Sequence, residues 1–387
     1  MNILHALDDE KVFAPFFRGD SWSAWRAFLA ALFALPLNAE QLALYQQHTG
    51  RSTPPVLPSQ EAWLICGRRS GKSFVLAVIA VFLAAFRDWR PHLQKGEVGT
   101  IMVVAADRRL ARVIMRYCLG LLRSVPMLAQ LIESETRESI GLRNRVVIEV
   151  HTASFRSTRG YALIAGLLDE LAFWPGDDSA EPDYEVLSAL RPGMATIPGS
   201  MLLCASSPYV RRGALFDAHR KHFGKDGDSV LVWHAPTRAM NPTVRQSVIN
   251  EAMERDPASA AAEYGAEFRS DIESFVNRDA VEACISLGVR ERQPISGVTY
   301  SAFVDPSGGS ADSMTLAIGH QEDNVAVLDA VRERRPPFSP EEVVLEFSAI
   351  LKSYRILNVT GDRYAGEWPR ERFREHGITY ETAAKPK

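Results

Sequence analysis

The stretch "ICGRRSGKSF", Ile65 to Phe74, ends in Gly71-Lys72-Ser73. This is the form of a loop that wraps phosphates. In such a loop, backbone N–H groups and the N-terminus of the next helix cradle the phosphates. The lysine reaches the β and γ groups, and the hydroxyl binds Mg²⁺. The usual pattern, G-x-x-x-x-G-K-[ST], begins with glycine. Here Cys66 occupies that slot as the last residue of a strand, and Gly67 beside it is expected to supply the permissive turn. The candidate nucleotide ligands are therefore Gly67, Arg68, Arg69, Ser70, Gly71, Lys72 and Ser73, with ATP and Mg²⁺ as the expected cofactors.

A second motif follows downstream. "ALIAGLLDEL" is an apolar run ending in Asp169-Glu170. Asp169 is expected to hold Mg²⁺ through water, and Glu170 to orient and deprotonate an attacking water. Taken alone, an Asp-Glu pair also suits the first turn of a helix, where negative charge is favoured. The phosphate loop upstream and an apolar strand between the two decide for the nucleotide reading. "LLCASSPY" then ends a strand in Ser206 and Ser207, where a γ-phosphate sensor would stand. Arginine stabilises charge on a transferring phosphoryl group. Arg68 and Arg69 are placed to do so within the same chain. Arg159, in "FRSTRGYA", suits either a finger reaching a neighbouring subunit or a solvated loop position.

A second cluster is acidic. Asp305 ends "TYSAFVD" and Asp362 ends "ILNVTGD", with a strand hairpin and a helix between them. Two carboxylates at adjacent strand ends are the layout of a two-metal nuclease on an RNase H-like sheet, using Mg²⁺ or Mn²⁺. Asp312, in the Gly- and Ser-rich loop "DPSGGSAD", is a candidate accessory ligand. Aspartates at such places also form ordinary turns.

The elements that must position these residues alternate. "AWLIC", "TIMVVAA", "VVIEVHTA", "ALIAGLLDE" and "SMLLCASSP" read as strands separated by helical runs. Such alternation implies a mostly parallel sheet with helices on both faces. Residues 1–58 read as an N-terminal helical segment, 59–235 as the nucleotide-binding core, 236–295 as a helical hinge and 296–387 as the second α/β domain. A lid-like helical region is expected after residue 210. The run Phe74 to Phe86 is too short to span a bilayer, so no membrane association is expected.

The totals leave these readings open. The chain has 387 residues and a formal net charge of −3, so it is not a basic protein overall. A local groove of Lys and Arg would still suffice for DNA. The four cysteines, Cys66, Cys118, Cys204 and Cys284, form no C-x-x-C pair. Zinc and a disulfide framework are thus not expected.

Taken together, the Arg-bearing phosphate loop, Asp-Glu followed by aromatics, "LLCASSPY" and the downstream Asp pair resemble the large terminase subunit of tailed bacteriophages. The resemblance covers roughly residues 40 to 370. It implies a P-loop ATPase of the additional-strand class joined to an RNase H-like nuclease, which pumps double-stranded DNA into a procapsid and cuts the concatemer. It also implies a portal protein and a small terminase subunit as partners, a homo-oligomeric ring, a pentamer on the portal, and action in the host cytoplasm. Arg68 matches the arginine such terminases carry in the loop, and Ser206 and Ser207 match the coupling motif. Gln46 and Arg51, with Gln47 as an equal candidate, fall where the family contacts adenine. The family's nuclease uses a further acidic residue downstream, for which only Glu381 is on offer here, so the RNase H-like domain is expected to be truncated. Two other functions fit the same residues: a helicase-like DNA-dependent ATPase without nuclease activity, and a non-catalytic assembly protein switched by nucleotide.

Overall fold

The computed structural model describes residues 1–153, 160–174, 182–269, 284–286, 288–309, 312–362 and 367–383. They divide into two compact units, Met1–Phe275 and Val276–Lys387. The first unit takes in the expected segments 1–58 and 59–235, and the boundary cuts through the expected hinge 236–295.

The first unit is built on strands β1 (Glu61–Cys66), β2 (Gly99–Ala105), β3 (Ile132–Glu135), β4 (Ser139–Leu142), β5 (Val146–Thr152), β6 (Ala162–Asp169), β7 (Met201–Ser206) and β8 (Val230–Ala235). They form one sheet in the order β3-β4-β5-β2-β6-β7-β1-β8. From β5 to β8 every pairing is parallel, and β3 and β4 close one edge as an antiparallel hairpin. A parallel sheet must be covered on both faces, which is why β2 and β7 are buried along their whole length. Two strand assignments go beyond the sequence reading. The β3–β4 edge was not expected, because β3 is short and mostly exposed. The region after residue 210 is not only helical, since it contains β8, which pairs in parallel with β1.

The faces are covered by helices on both sides, as expected. One face carries α1 (Ile3–Asp8), α2 (Ser23–Leu32), α3 (Ala39–Thr49), α4 (Lys72–Phe86), α5 (Arg108–Ser124) and α6 (Pro126–Ala129). The other carries α7 (Pro182–Met194) and α8 (Gly213–His222). The two-residue alternation of a strand divides β1 between the layers. Leu64 and Cys66 join the first core, and Trp63 and Ile65 the second. Helix α4 is apolar all round and almost completely buried, the pattern of a helix enclosed in a core rather than lying on it. The unit ends in α9 (Thr237–Met240), α10 (Gln246–Arg255) and α11 (Pro257–Glu263).

The second unit contains β9 (Tyr300–Asp305), β10 (Met314–Glu322), β11 (Val325–Arg334), α12 (Pro340–Ser353), β12 (Asn358–Gly361), α13 (Trp368–Glu375) and β13 (Thr379–Thr382). Its sheet runs β11-β10-β9-β12-β13. The first three strands pair antiparallel, and β12 and β13 add in parallel. This is the expected RNase H-like arrangement. The core is built from residues such as Val304, Leu316, Ile318, Phe347, Leu351 and Phe373. Among the described residues no helix is long and apolar enough to cross a membrane.

The N-terminal helices belong to the core of the first unit. Phe28 of α2 packs edge-on against Trp233 of β8 with ring centroids 5.6 Å apart, and Trp233 is fully buried. Trp233→Ala is expected to lower unfolding stability by about 3–5 kcal/mol, the usual loss for a buried large aromatic. Urea titration followed by circular dichroism checks this, and a loss below about 1 kcal/mol would contradict the packing described.

Candidate functional site

The phosphate loop bridges the end of β1 and the start of α4. Gly67 is required there by space. A Cβ on it would lie 2.3 Å from Thr237 Oγ1 and 2.8 Å from the Tyr264 carbonyl oxygen. The turn expected of Gly67 is made by other residues. Left-handed backbone occurs at Arg69, with φ 66°, and at Gly71, with φ 102°. Gly71 supplies no side-chain cap to α4, so the first N–H groups of that helix are available to an anion. From below, Trp25 Nε1 donates to the Ser70 carbonyl at 2.9 Å and fixes the loop on α2.

Lys72 is 5% exposed. Its Nζ donates to the Cys66 carbonyl at 2.8 Å, to the Gly67 carbonyl at 3.3 Å and to Ser207 Oγ at 3.1 Å. It also stands 3.4 Å from Glu170 Oε1. Ser73 Oγ donates to Asp169 Oδ2 at 3.0 Å. Glu170 Oε2 accepts from the Ser207 backbone N–H at 2.9 Å and from Ser206 Oγ at 3.2 Å. Lys72, Ser73, Asp169, Glu170, Ser206 and Ser207 are thus brought together as expected. Glu170 adopts a left-handed conformation, φ 50° and ψ 42°. For a residue other than glycine this costs roughly 1 kcal/mol or more and is common at functional positions. Trp174 Nε1 donates to the Asp169 carbonyl at 3.1 Å, giving the aromatic after Asp-Glu a positioning role.

The metal expected here can be tested against these residues. Asp169 is 6% exposed and its Oδ1 has no hydrogen-bond partner. Burial, reinforced by the Glu170 carboxylate, pushes its pKa up to about 6. An orphaned carboxylate oxygen beside a serine hydroxyl is a pair of hard oxygen donors, which suits Mg²⁺. The residues fit the metal.

The arginines lie differently from a phosphate-facing pair. Both Arg68 and Arg69 are exposed. Arg68 NH1 pairs with Glu263 Oε1 at 3.0 Å, and its backbone N–H donates to the Glu263 carbonyl. Thr237 Oγ1 donates to the Arg68 carbonyl at 2.8 Å, and Asn241 Nδ2 to the Arg69 carbonyl at 2.8 Å. The loop is therefore clamped by α9 and α11, contacts that no local sequence signal announces. Arg159 lies outside the described residues.

The expected adenine contacts are not brought to the loop. Arg51 is 3% exposed, and its guanidinium donates to the Asp228 and Val230 carbonyls. Val230 pairs with Glu61 at the beginning of β1, whereas the loop leaves β1 at Cys66, which pairs with Ala235. At about 3.3 Å per residue these ends are roughly 16 Å apart. Arg51 is an anchor for β8 at the far end of the sheet. Gln46 Nε2 donates to the Ser52 carbonyl at 3.1 Å, and the exposed Gln47 lies beside it on α3.

In the second unit, Gly361 of β12 pairs with Val304 of β9, and Asp362 N–H donates to the Val304 carbonyl at 3.2 Å. Asp305 and Asp362 therefore leave neighbouring strands side by side, with backbones about 5 Å apart. Tyr380, missed from sequence, donates from its hydroxyl to the Asp362 carbonyl at 2.6 Å. It crosses Gly361, where a Cβ would fall 2.2 Å from that hydroxyl. Burial drives the Tyr380 pKa upward, and the Asp362 and Asp305 carboxylates add to the shift. Asp312 is exposed in the approach to β10, and its carbonyl accepts from Ser307 Oγ at 2.6 Å. Glu381 is exposed on β13. Among the described residues no group of three or more His, Cys, Asp or Glu is arranged to hold a metal.

The fold defines an α/β unit with a P-loop-like turn between β1 and α4, followed by an RNase H-like unit. Solved structures of phage large terminases are similar to this chain. The large terminase of bacteriophage HK97 is 16% identical, covers 98% of this chain and 84% of its own, and superposes with a TM-score of 0.61. The fold of this chain is thus that of a phage large terminase. The ATPase domain of the Thermus phage P74-26 large terminase is 18% identical over 62% of this chain and 97% of its own, with a TM-score of 0.44. The large terminase of a thermophilic bacteriophage, in complex with ADP, is 12% identical over 84% of this chain and 77% of its own, with a TM-score of 0.42. No protein-family model matches the sequence, and no curated protein matches it.

The first unit also contains a histidine pair that composition does not reveal. His219 Nε2 and His234 Nδ1 are 3.1 Å apart, and His234 Nε2 donates to the Ala266 carbonyl at 2.6 Å. Burial, with His234 adding to it, lowers the His219 pKa to about 4. The folded state therefore keeps this ring neutral where an unfolded chain, with a pKa of about 6.5, takes up a proton. The stability it contributes is complete above that unfolded value and is lost as pH falls from about 6.5 toward 4. The urea midpoint of the wild type is expected to fall across that window, and less steeply in His219→Gln. Equal slopes in the two proteins would contradict the assignment.

Proposed function

We propose that the first unit is an ATP hydrolase acting as the motor of a phage DNA-packaging machine, driving double-stranded DNA into a capsid. The observation that carries the reading is the convergence of Lys72, Ser73, Asp169, Glu170 and Ser207 at the ends of β1, β6 and β7. Lys72 exchanges its carbonyl contacts for the β- and γ-phosphates, and the loop and α4 N–H groups hold the remaining oxygens. Mg²⁺, when bound by Ser73 and Asp169, screens the phosphate charge. Glu170, held by Ser206 and Ser207, accepts a proton from the attacking water as its oxygen bonds to the γ-phosphorus and the bond to ADP breaks. Arg68 serves as the cis-acting charge stabiliser once its pairing with Glu263 opens, and Arg159 is the candidate for the trans position. Loss of that pairing moves α9–α11 relative to the loop, which converts hydrolysis into motion.

A second activity is favoured by the in-register ends of β9 and β12. Asp305 and Asp362 would hold the metal of a Mg²⁺- or Mn²⁺-dependent endonuclease that cuts concatemeric DNA; Asp312, which is not gathered with them into a three-carboxylate group among the described residues, is the candidate accessory ligand.

Steady-state ATP hydrolysis is expected to fall by at least about 10² in both Lys72→Ala and Glu170→Gln. Unchanged turnover in both would overturn the motor reading in favour of a nucleotide-switched assembly protein. Mn²⁺-dependent nicking of plasmid DNA is expected to vanish in Asp305→Ala and to survive Glu170→Gln. Cleavage that persists in Asp305→Ala would leave a helicase-like ATPase whose second unit is a scaffold.

A further inference from the structure

The first unit has a cleft of about 1210 Å³ at the end of β1 remote from the phosphate loop. Its floor is the beginning of β1, β7 and β8, at Glu61, Met201 and Val230. Sites for small molecules commonly enclose roughly 300–1,000 Å³, so a cleft of this size suits a longer occupant such as a segment of polypeptide. All of its lining residues belong to the first unit.

Part of the lining is the strap of residues 52–59, "STPPVLPS". Val56 is 91% exposed and Leu57 77%, the two highest values among the described large hydrophobic residues. The strap is pinned at both ends. Asp226 accepts from the Ser52 and Thr53 backbone N–H groups at 2.9 and 3.0 Å, and the Ser59 N–H donates to the Leu32 carbonyl at 3.0 Å. Pro54, Pro55 and Pro58 restrict the backbone between these anchors. Val56 and Leu57 are therefore presented by a preorganised backbone, which lowers the entropy lost when a partner docks against them. Met194 and Ile197 continue the apolar lining.

The charges of the cleft are not all spent. Its carboxylates Glu61, Asp88 and Asp228 each have a partner, Arg191 at 3.1 Å, Arg90 at 2.8 Å and His222 at 2.7 Å. Arg51 and Arg87 also line the cleft, and neither forms an ion pair among the described residues. Arg51 gives its two terminal nitrogens to main-chain carbonyls, and its Nε has no hydrogen-bond partner. Arg87 is exposed, with its guanidinium 5.7 Å from the centroid of the Phe82 ring. Positive charge thus stands beside exposed apolar surface. That combination complements a peptide bearing both carboxylates and apolar side chains.

We propose that this cleft docks an acidic, apolar linear segment of a partner protein, with its apolar side chains against Val56 and Leu57 and a carboxylate on Arg87. The proposal stands apart from the hydrolase reading, because the cleft and the phosphate loop lie at opposite ends of β1.

The test selects random linear peptides displayed on yeast against the full chain, with a Leu57→Asp/Arg87→Glu double variant as the counter-target. Both positions are exposed, and melting curves matching the wild type establish that the variant keeps its fold. The enriched peptides are expected to combine Asp or Glu with large apolar residues. In fluorescence polarisation, Leu57→Asp and Arg87→Glu are each expected to weaken the strongest peptide by at least about tenfold, the usual size of a central interface contact. Replacing the peptide's acidic residue by Lys is expected to restore its binding to Arg87→Glu and to abolish binding to the wild type. No enrichment over the double variant would overturn the proposal, as would enriched peptides that are basic or carry no charge. Equal affinity for wild type and both single variants would place the peptide elsewhere and overturn it too. Self-association of the wild type in sedimentation velocity that both single variants abolish would make the occupant a second copy of this chain, which also overturns it.

Discussion

Lys72 carries an ammonium group into a position that is 5% exposed, and a charge there is tolerated only when donors and counter-charge surround it. Two carbonyls of the loop, the Ser207 hydroxyl and the Glu170 carboxylate do this. These partners come from the end of β1, the end of β7 and the residue after β6. The parallel order β6-β7-β1 is what places them within reach of a single side chain. The same order brings Ser73 to Asp169 and the Ser206–Ser207 pair to Glu170. The site is a consequence of three strand ends meeting over the N-terminus of a helix buried on all sides.

The loop itself is held by elements remote in sequence. Thr237, Tyr264 and Glu263 crowd its first residues, and Trp25 supports its end. A backbone packed this closely cannot change shape without moving its neighbours. Any rearrangement of Arg68 and Gly67 around phosphates is therefore felt by α9 and α11. That coupling is built from hydrogen bonds to main-chain atoms rather than from a long chain of side chains.

The second unit achieves its juxtaposition more economically. A parallel pairing of β9 with β12 sets two aspartates side by side. A glycine one residue earlier lets a tyrosine from β13 lock the backbone of the second. Tyr380 satisfies the main-chain carbonyl of Asp362 through its hydroxyl.

The amino-acid sequence by itself determined which side chains converge at the strand ends and roughly where. A strand–loop–helix around Gly71-Lys72-Ser73, an apolar strand ending in Asp169-Glu170, and serines at the end of β7 are local patterns, and local backbone preferences fix where such side chains emerge. The paired strand ends of Asp305 and Asp362 were legible for the same reason. Tertiary structure alone decided what depends on distant partners. Gly67 proved to be needed for room beside Thr237 and Tyr264 rather than for a turn. Arg51 proved to anchor β8 at the opposite end of the sheet. The edge strand β3 and the strand β8 took their identity from neighbours, because a short strand is stabilised by the strand it pairs with more than by its own residues. Which ring supports the phosphate loop was likewise invisible in sequence, since Trp25 of α2 reaches the Ser70 carbonyl across 45 residues of chain.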